Sequence, residues 1–375
     1  MKVTVTQQHL AHGLSIVSRA VSPRSTLPVL ANVLMATDEG RLRLSATNLE
    51  LGITCWIPAQ ISEEGSITIP ARTIVDLVST FSPDNVIMSL DERTQTLNLV
   101  CNSSVHDIKG IDAQDFPPMP VTDPAEGIEL NLADFKDMIQ QVAFAASTDE
   151  ARPVLQGVKM DVAENVITLA ATDGFRISVR KESFSSPIRQ NVSIIIPARA
   201  MNELARIFSD DDKAVTMIVP QGRGQVIFRL KDAELVSQLI DGNFPDYQAI
   251  IPKSAKTKTI ISTPAFLKAC KQAEIIAREG NNVIRLDIIP AEGGPGKVEI
   301  SAQTEETGKS DISVEASIEG SALLIAFNVK FLREVLDVVH SPNVSLDTNA
   351  NNSPGVLRPV GDDNFVHVIM PMHLG

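Results

Sequence analysis

The chain has 375 residues, 43 % of them apolar and 21 % charged, which is the composition of an ordinary soluble globular protein of two to four domains. Its formal net charge of −13 argues against a surface that binds nucleic acid throughout, although it is compatible with a basic strip inside an acidic exterior. No apolar run approaches the roughly 20 residues of a membrane span, and the first residues lack the apolar core of a signal peptide, so we expect a cytoplasmic protein that does not contact membranes.

The first hundred residues predict a helix, a strand and a second helix. Leu10, Leu14, Val17 and Val21 recur at the spacing of one helix face, so an amphipathic helix is expected near the N-terminus. Residues 41–46 alternate between apolar and polar side chains, as in a half-buried strand. The run Ile-Thr-Ile-Pro-Ala-Arg at 67–72 then predicts a strand that leads directly into another helix.

These elements return twice along the chain. The strand-to-helix run recurs as Ile-Ile-Ile-Pro-Ala-Arg at 194–199 and, more faintly, as Ile-Ala-Phe-Asn-Val-Lys at 325–330. The run Leu-Ser-Ala-Thr-Asn at 44–48 likewise matches Leu-Ala-Ala-Thr-Asp at 169–173. A period near 127 residues has the length of a domain and is too long for a solenoid repeat.

The chain is therefore predicted to contain three copies of one α+β domain, in which two helices pack on β-sheets. A faint echo of the second run, Ile-Ser-Ala-Gln-Thr at 300–304, supports the third copy. Asn131 is expected to cap the first helix of the second copy, and Thr263 that of the third, with Pro264 at the first helical position. The predicted domains are 1–122, 127–252 and 258–375.

A cation occupies the same position at the start of the second helix in every copy. Arg72, Arg199 and Lys330 lie near helix N-termini, where the helix dipole disfavours a cation by roughly 0.3–1 kcal/mol. An acid four residues later stabilises such a helix by only about 0.2–0.5 kcal/mol. Two interpretations stay open: a solvated helix face with surface ion pairs, or weak contact with phosphates. The acids are Asp76, Glu203 and Glu334.

Four further runs carry a resemblance to a known family. They read Thr-Leu-Pro-Val-Leu at 26–30, Ala-Thr-Asp-Gly-Phe-Arg at 171–176, Asp-Gly-Asn-Phe-Pro-Asp-Tyr at 241–247 and Val-Ile-Met-Pro-Met-His-Leu at 368–374. Together with the two Pro-Ala-Arg helices, their order across the whole chain resembles the replicative sliding clamps, the beta subunits of bacterial DNA polymerase III.

The resemblance implies a DNA polymerase processivity factor without catalytic activity or cofactor. It implies a head-to-tail homodimer in which six similar domains form a ring around duplex DNA, bound independently of its sequence. Such a ring slides on DNA and tethers the catalytic subunit of the replicative polymerase, the clamp loader and other clamp-binding proteins. These partners are expected to insert short peptides into a hydrophobic cleft between the second and third domains.

The resemblance and the helix pattern together suggest residues that contact DNA. Arg24 matches a DNA-contacting arginine of the family, and Arg152 lies in the corresponding loop of the second copy. Arg72, Lys136 and Arg199 are added from the helix argument. The loop around Arg152 departs from the family pattern, because the expected contacts of some relatives are not reproduced by Asp149, Pro153 and Val154.

The resemblance also places a partner-peptide cleft and a dimer contact. Ala249 and His373 depart from the basic residues that some relatives have at the matching positions. The dimer contact is expected to join the first domain to the third through His106, Ile275 and Ile276. The cleft positions are Leu155, Thr172, Gly174, Phe175, Arg176, Ile177, Pro245, Ile250, Asn328, Phe331, Val368, Ile369, Met370, Pro371 and Met372.

Two other classes of function remain as alternatives. A metal-dependent hydrolase would use Asp173 or Asp241 as a ligand, whereas a peptide-binding scaffold would never encircle DNA. No P-loop, His-Glu-x-x-His or Gly-x-Ser-x-Gly motif occurs, the six histidines lack metal-ligand spacing, and no metal is expected. The three scattered cysteines, none in a Cys-x-x-Cys pair, are predicted to be buried thiols.

Overall fold

A computed structural model describes residues 1–22, 27–120, 127–184, 191–209 and 212–373. Its helices, in chain order, are α1 Gln7–Val17, α2 Ala71–Ser79, α3 Leu132–Val142, α4 Ala198–Ile207, α5 Thr263–Ala277 and α6 Val329–Asp337. Its first strands are β1 Lys2–Thr6, β2 Asn32–Asp38, β3 Arg41–Thr47, β4 Leu51–Pro58, β5 Gln60–Glu63, β6 Ser66–Pro70, β7 Asn85–Asp91, β8 Thr96–Cys101, β9 Ser104–Lys109 and β10 Ile128–Asn131. The others are β11 Gly157–Ala163, β12 Val166–Thr172, β13 Arg176–Ser183, β14 Val192–Pro197, β15 Ala214–Ile218, β16 Gln225–Arg229, β17 Ala233–Gln238, β18 Thr257–Ser262, β19 Val283–Ile289, β20 Gly296–Thr304, β21 Gly308–Glu319, β22 Leu323–Asn328, β23 Asn343–Thr348, β24 Gly355–Pro359 and β25 Phe365–Ile369.

The chain divides into two compact units. Unit 1 comprises Met1–Ala133 and Glu203–Leu239, and unit 2 comprises Asp134–Asn202 and Ile240–Gly375. The division crosses α3 and α4, so the second copy of the repeat contributes to both units. The three domain boundaries drawn from the sequence remain a prediction.

Unit 1 holds two antiparallel sheets. The five-stranded sheet has the order β5-β1-β7-β8-β9, and the eight-stranded sheet has the order β10-β15-β16-β17-β4-β3-β2-β6. The predicted N-terminal helix is confirmed as α1, whose stripe of Leu10, Leu14 and Val17 is buried. The predicted extension of this stripe to Val21 is wrong, because α1 ends at Val17 and the backbone of Val21 is extended. The helix lies directly on the sheet, because a Cβ on Gly13 would meet Ile57 and Leu44 at 2.8 Å.

Unit 2 holds one twelve-stranded antiparallel sheet and the helices α5 and α6. Its order is β14-β11-β12-β13-β25-β24-β23-β18-β21-β20-β19-β22. The main core of the unit forms where α5 and α6 pack on this sheet around Phe266, Phe327 and Phe365, which are fully buried. The predicted helices after the Pro-Ala-Arg runs are confirmed as α2 and α4, and the third copy supplies α6.

One hydrogen-bonded junction occurs in both units. In unit 1, β17 pairs with β4, and the amide of the last β17 residue, Gln238, donates to the carbonyl of Glu50 at 2.8 Å. In unit 2, β25 pairs with β13, and the amide of the residue that follows β25, Met370, donates to the carbonyl of Phe175, also at 2.8 Å. The repeats at 44–48 and 169–173 place these two acceptors at equivalent positions, so copies of the fold join by the same strand pairing.

The structure corrects one predicted helix start and agrees with the prediction for the cysteines. Ser262, not Thr263, is the N-cap residue of α5, and neither side chain caps the helix. Pro264 is therefore the second helical residue and not, as was predicted, the first. The three cysteines are buried and free. Burial raises the pKa of Cys55 to about 12, so this thiol stays protonated and unreactive near neutral pH. No helix in the described ranges is both long and apolar enough to cross a membrane.

Candidate functional site

The shared cations at the helix starts differ in their partners. The side chain of Arg72 is 95 % exposed and lies 3.7 Å from Asp76. Lys330 is 3.9 Å from Glu334. Arg199 is exposed on α4, but the acid four residues later does not pair with it. Arg199 also forms no ion pair with any other described residue, so among the three helix-start cations its charge is the least neutralised. That acid, Glu203, binds Arg19 at 3.3 Å and Arg206 at 2.8 Å.

The other proposed DNA-contacting residues have different surroundings. Lys136 is partly exposed on α3. The guanidinium of Arg152 donates to Asp149 at 2.8 Å and to the carbonyl of Asp173 at 3.4 Å, so it packs against the loop before β13. The amide of Ala151 and the Arg152 guanidinium lower the pKa of the Asp149 carboxyl. Arg24 lies outside the described residues.

A tight turn before β13 presents an aromatic side chain at the surface. The carboxylate of Asp173 accepts the amides of Phe175 at 2.9 Å and Arg176 at 3.1 Å. The Thr172 hydroxyl donates to the carbonyl of Arg176 at 2.7 Å and accepts the amide of Gly174 at 3.0 Å. Gly174 has φ +93°, which favours glycine. The turn leaves Phe175 58 % exposed.

Arg176 ties this turn to α6. The residue is only 6 % exposed, and its guanidinium binds Asp173 at 3.0 Å and Glu334 at 2.5 Å and donates to the carbonyl of Phe144 at 2.8 Å. It also stacks over the ring of Phe331, 4.3 Å from the centroid. Each of the three guanidinium nitrogens therefore donates a hydrogen bond, which offsets the cost of burying the charge.

The C-terminal tail crosses the same surface. After β25, Met370 donates its amide to Phe175, and the amide of Met372 donates to the carbonyl of Ala326 at 2.8 Å. The tail thereby links β13 to β22, and Met370 is 38 % exposed. Asn328, at the end of β22, caps α6 by accepting the amide of Lys330 at 3.0 Å. Phe175, Met370 and the start of α6 thus border one surface of unit 2.

The proposed cleft positions fall into three groups by exposure. The buried residues lie beneath the surface in this structure, and two of them, Ile177 and Val368, pack in one core cluster with Tyr247. The exposed set is Gly174, Phe175, Pro245, Ile250 and Met370; the partly exposed set is Leu155, Asn328, Phe331, Pro371 and Met372; the buried set is Thr172, Arg176, Ile177, Val368 and Ile369.

His367 is a buried polar residue that the sequence reasoning missed. It points inward on β25, its Nδ1 lies 3.2 Å from the hydroxyl of Ser178, and its ring stacks on Phe144 with the centroids 5.5 Å apart. Burial, with the nearby charge of Arg176, holds its pKa well below the ordinary value. In the sequence, the inward-facing position of His367 in the alternating pattern of β25 is the signal that could have identified it as buried.

The candidate dimer residues lie in different units. His106 on β9 is partly exposed and stacks on Phe81 with the centroids 5.6 Å apart, and its neighbour Val105 is 62 % exposed. Ile275, near the end of α5, is 56 % exposed, and Ile276 is partly exposed. Exposed apolar side chains at both places are suited to a protein contact.

The aspartates of the hydrolase alternative have no arrangement suited to a metal. Asp173 is engaged with Arg176 and two backbone amides, and Asp241 is exposed. Across the ranges that the structure describes, no group of three or more His, Cys, Asp or Glu side chains could hold a metal ion.

Comparison with known proteins identifies the family. Family models match in chain order: the N-terminal domain of the DNA polymerase III beta subunit at residues 1–120, its central domain at 129–246 and its C-terminal domain at 248–373. The "Beta sliding clamp" of Synechococcus elongatus is 33 % identical over 379 residues, covering 100 % of both chains. The chain belongs to the DNA polymerase III beta subunit family, the beta sliding clamps.

Further relatives agree with this membership. The "Beta sliding clamp" of Staphylococcus aureus is 31 % identical, with 99 % of each chain covered. The DNA polymerase sliding clamp of Bacillus subtilis superposes with a TM-score of 0.93 at 29 % identity, and that of Pseudomonas aeruginosa with 0.89 at 26 %, each covering 100 % of both chains. The resemblance stated from the sequence and the three-copy α+β fold are confirmed. As a member of this family, the chain is a non-catalytic processivity factor of DNA polymerase III.

Proposed function

We propose that two copies of this chain close head to tail into a ring around duplex DNA, and that partner proteins attach through the surface around Phe175 and Met370. The observation that carries the proposal is the repeated junction, in which one copy of the fold donates a strand edge to the next. Two such junctions lie within the chain, at β17–β4 and β13–β25. The third has to be made between chains.

The strands that would form the third junction have free edges in the described residues. β9, the equivalent of β17 and β25, pairs only with β8. Residues 308–315 of β21, the equivalent of β4 and β13, pair only with β20. The register of the two internal junctions, in which Cys55 lies opposite Ala233 and Arg180 opposite Phe365, would place Ser104 opposite the partner's Ile312. Heterologous contacts of this kind close into a ring when the rotation fits.

Side chains at the internal junction also predict which residues meet between chains. Phe144, just after α3, stacks on His367 of β25. By the repeat, Ile275 of α5 takes the position of Phe144, and His106 of β9 takes that of His367. This correspondence supports contact between Ile275 and the partner's His106, with Ile276 beside it.

The dimer proposal is tested by the solution mass. We expect the chain to have twice its monomer mass at micromolar concentration, and Ile275→Asp to shift it to monomer, because a charge would be buried without a partner. Ile87→Asp is the matched control, since Ile87 is an exposed isoleucine on β7, away from both free edges. A wild-type monomer, or equal effects of the two substitutions, would refute the junction argument.

The DNA-contacting set is Arg24, Arg72, Lys136, Arg152 and Arg199, and we propose that it acts through weak, sequence-independent contacts. A closed ring is retained by topology and needs little affinity, which fits a net charge of −13. The ring loaded on circular duplex should be retained and then lost on linearisation. Equal loss from both forms would favour a scaffold that does not encircle DNA. Direct binding of the free protein should weaken as salt rises.

The partner surface is proposed to take short apolar peptides from the polymerase catalytic subunit, the clamp loader and other clamp-binding proteins in the cytoplasm. Flexible methionines can repack around different side chains. Met370→Ala with Met372→Ala should weaken peptide binding by roughly 1–3 kcal/mol, as for truncated interface anchors. Val360→Ala, an exposed valine elsewhere in unit 2, is the control. Unchanged affinity by calorimetry in the double variant would refute this assignment.

A further inference from the structure

A second concave site lies in unit 2, outside the proposed cleft residues. It is a cavity of about 530 Å³ between the chain segment 252–258, the end of β21 and the strands β23 and β24. Its wall is held by the amide of Lys256, which donates to Thr348 at 3.1 Å and to the side chain of Asn349 at 3.0 Å. Asn349 in turn donates to the carbonyl of Ser254 at 2.9 Å. The wall is therefore fixed by the protein itself, without a ligand.

Cations dominate this cavity in an acidic chain. Lys253, Lys256 and Lys258 line it, are exposed, and form no ion pair with any described residue. Of the other charged groups, Asp347 is neutralised by Arg358 at 3.0 Å. Glu319 is the one lining acid without an ion pair among the described residues. The lining thus keeps a net positive charge, which favours an anionic ligand.

The cavity lies along the same sheet face as the partner surface. Lys258 pairs in register with Asp347, Asp347 with Val356, Val356 with Val368 and Val368 with Ile177. Four strand spacings of about 4.8 Å separate β18 from β13, so roughly 19 Å separate Lys258 from the cleft strand. An extended peptide covers this distance with about six residues. A peptide seated at the cleft can therefore reach the cavity.

We propose that this cavity, termed the lysine pocket, binds acidic side chains that flank the apolar motif of a partner peptide. The inference rests on the proposed peptide cleft and names the charge that the cleft's partners carry beside their apolar residues. Carboxylates fit the pocket better than a compact, charge-dense phosphate, because Glu319 and Asp347 also line it.

The test uses the full-length chain and labelled peptides in fluorescence anisotropy. Each peptide has a Leu-Leu-Phe core for the apolar surface and, six residues away on either side, four glutamates or four glutamines. We expect the glutamate peptide to bind about tenfold more tightly at low salt, since exposed ion pairs are individually weak and two or three act together. The difference should vanish at high salt, where the screening length falls to a few ångströms.

Charge-reversed variants assign the effect to the pocket. Lys256→Glu with Lys258→Glu should abolish the preference for glutamate and leave the affinity for the glutamine peptide unchanged. Lys268→Glu with Lys297→Glu is the matched control, because it reverses two exposed lysines outside the pocket, and it should keep most of the preference.

The outcomes separate this inference from the proposed function. If the glutamine peptide binds and the glutamate peptide is no tighter, or both double variants lose the preference equally, the lysine pocket is refuted and the cleft stands. If neither peptide binds the wild-type chain, the cleft proposal fails and takes the inference with it. Displacement of the glutamate peptide by inorganic tripolyphosphate but not by the same concentration of free tetraglutamate, at matched ionic strength, would assign the pocket to a phosphate ligand and overturn the peptide assignment.

Discussion

Replacing Arg176 by alanine tests whether the buried ion cluster holds the turn before β13 against α6. The substitution removes the ion pairs to Asp173 at 3.0 Å and Glu334 at 2.5 Å, and the hydrogen bond to the carbonyl of Phe144. Removing one partner of a buried pair costs about 3–5 kcal/mol in general. Here Glu334 keeps Lys330 at 3.9 Å, and both carboxylates are partly exposed. We therefore expect a loss of about 2–4 kcal/mol in the free energy of unfolding.

The measurement is urea unfolding followed by far-UV circular dichroism at one fixed protein concentration, since self-association would otherwise shift the midpoint. Arg278→Ala is the control, because Arg278 is 64 % exposed and its pair with Glu279 is 3.6 Å long; it should change stability by less than about 0.5 kcal/mol. Arg176→Lys should fall between the two, because an ammonium cannot reproduce the planar donor geometry. If Arg176→Ala matches the control, the cluster does not hold this part of unit 2 together.

Two further predictions concern stability. His367 is neutral in the fold, because burial and the nearby charge of Arg176 lower its pKa. The unfolded chain binds a proton at this histidine below about pH 6.5. The free energy of unfolding should therefore fall as the pH falls below that value, by up to about 1.4 kcal/mol per pH unit. Unfolding measured at several pH values should show a shallower slope for His367→Asn, and parallel slopes would contradict the assignment. A Cβ on Gly320, at φ +119°, would meet the carbonyl oxygen of Lys256 at 2.2 Å, so Gly320→Ala should cost about 2 kcal/mol or more. Gly293→Ala, at φ +76° with open space around it, should cost about 1 kcal/mol, and equal losses would show that the close contact relaxes.

The repeat made much of the fold predictable from the sequence. Helix spacing, the alternation at 41–46 and the Pro-Ala-Arg runs each reflect local rules that any copy of the domain has to obey. The start of α5 was misplaced by one residue, because Ser262 and Thr263 are both residues that commonly occupy an N-cap position, and neither side chain makes that bond here.

The partners of buried charges could not be predicted, because they are set by contacts between distant segments. Glu203 was expected beside Arg199 on the same helix, but it binds Arg206 at 2.8 Å and Arg19, which is 184 residues away in sequence, at 3.3 Å. Arg176 meets Glu334 across 158 residues. Local helix pairs are worth only a few tenths of a kcal/mol, so the i,i+4 spacing alone does not decide which partner an acid takes. The shared position in the three repeats therefore identified the cations, but it did not identify the acidic side chains that pair with them.

The two internal junctions separate what the backbone determines from what the side chains add. Both junctions have the same strand pairing and the same 2.8 Å hydrogen bond from amide to carbonyl, so the backbone arrangement alone cannot make one of them a binding site. At the first junction the bonded residues are Gln238 and Glu50, and the exposed apolar residue is Leu49. At the second they are Met370 and Phe175, both exposed and apolar. An apolar peptide gains free energy only where such surface is covered, so the second junction is the one suited to bind it.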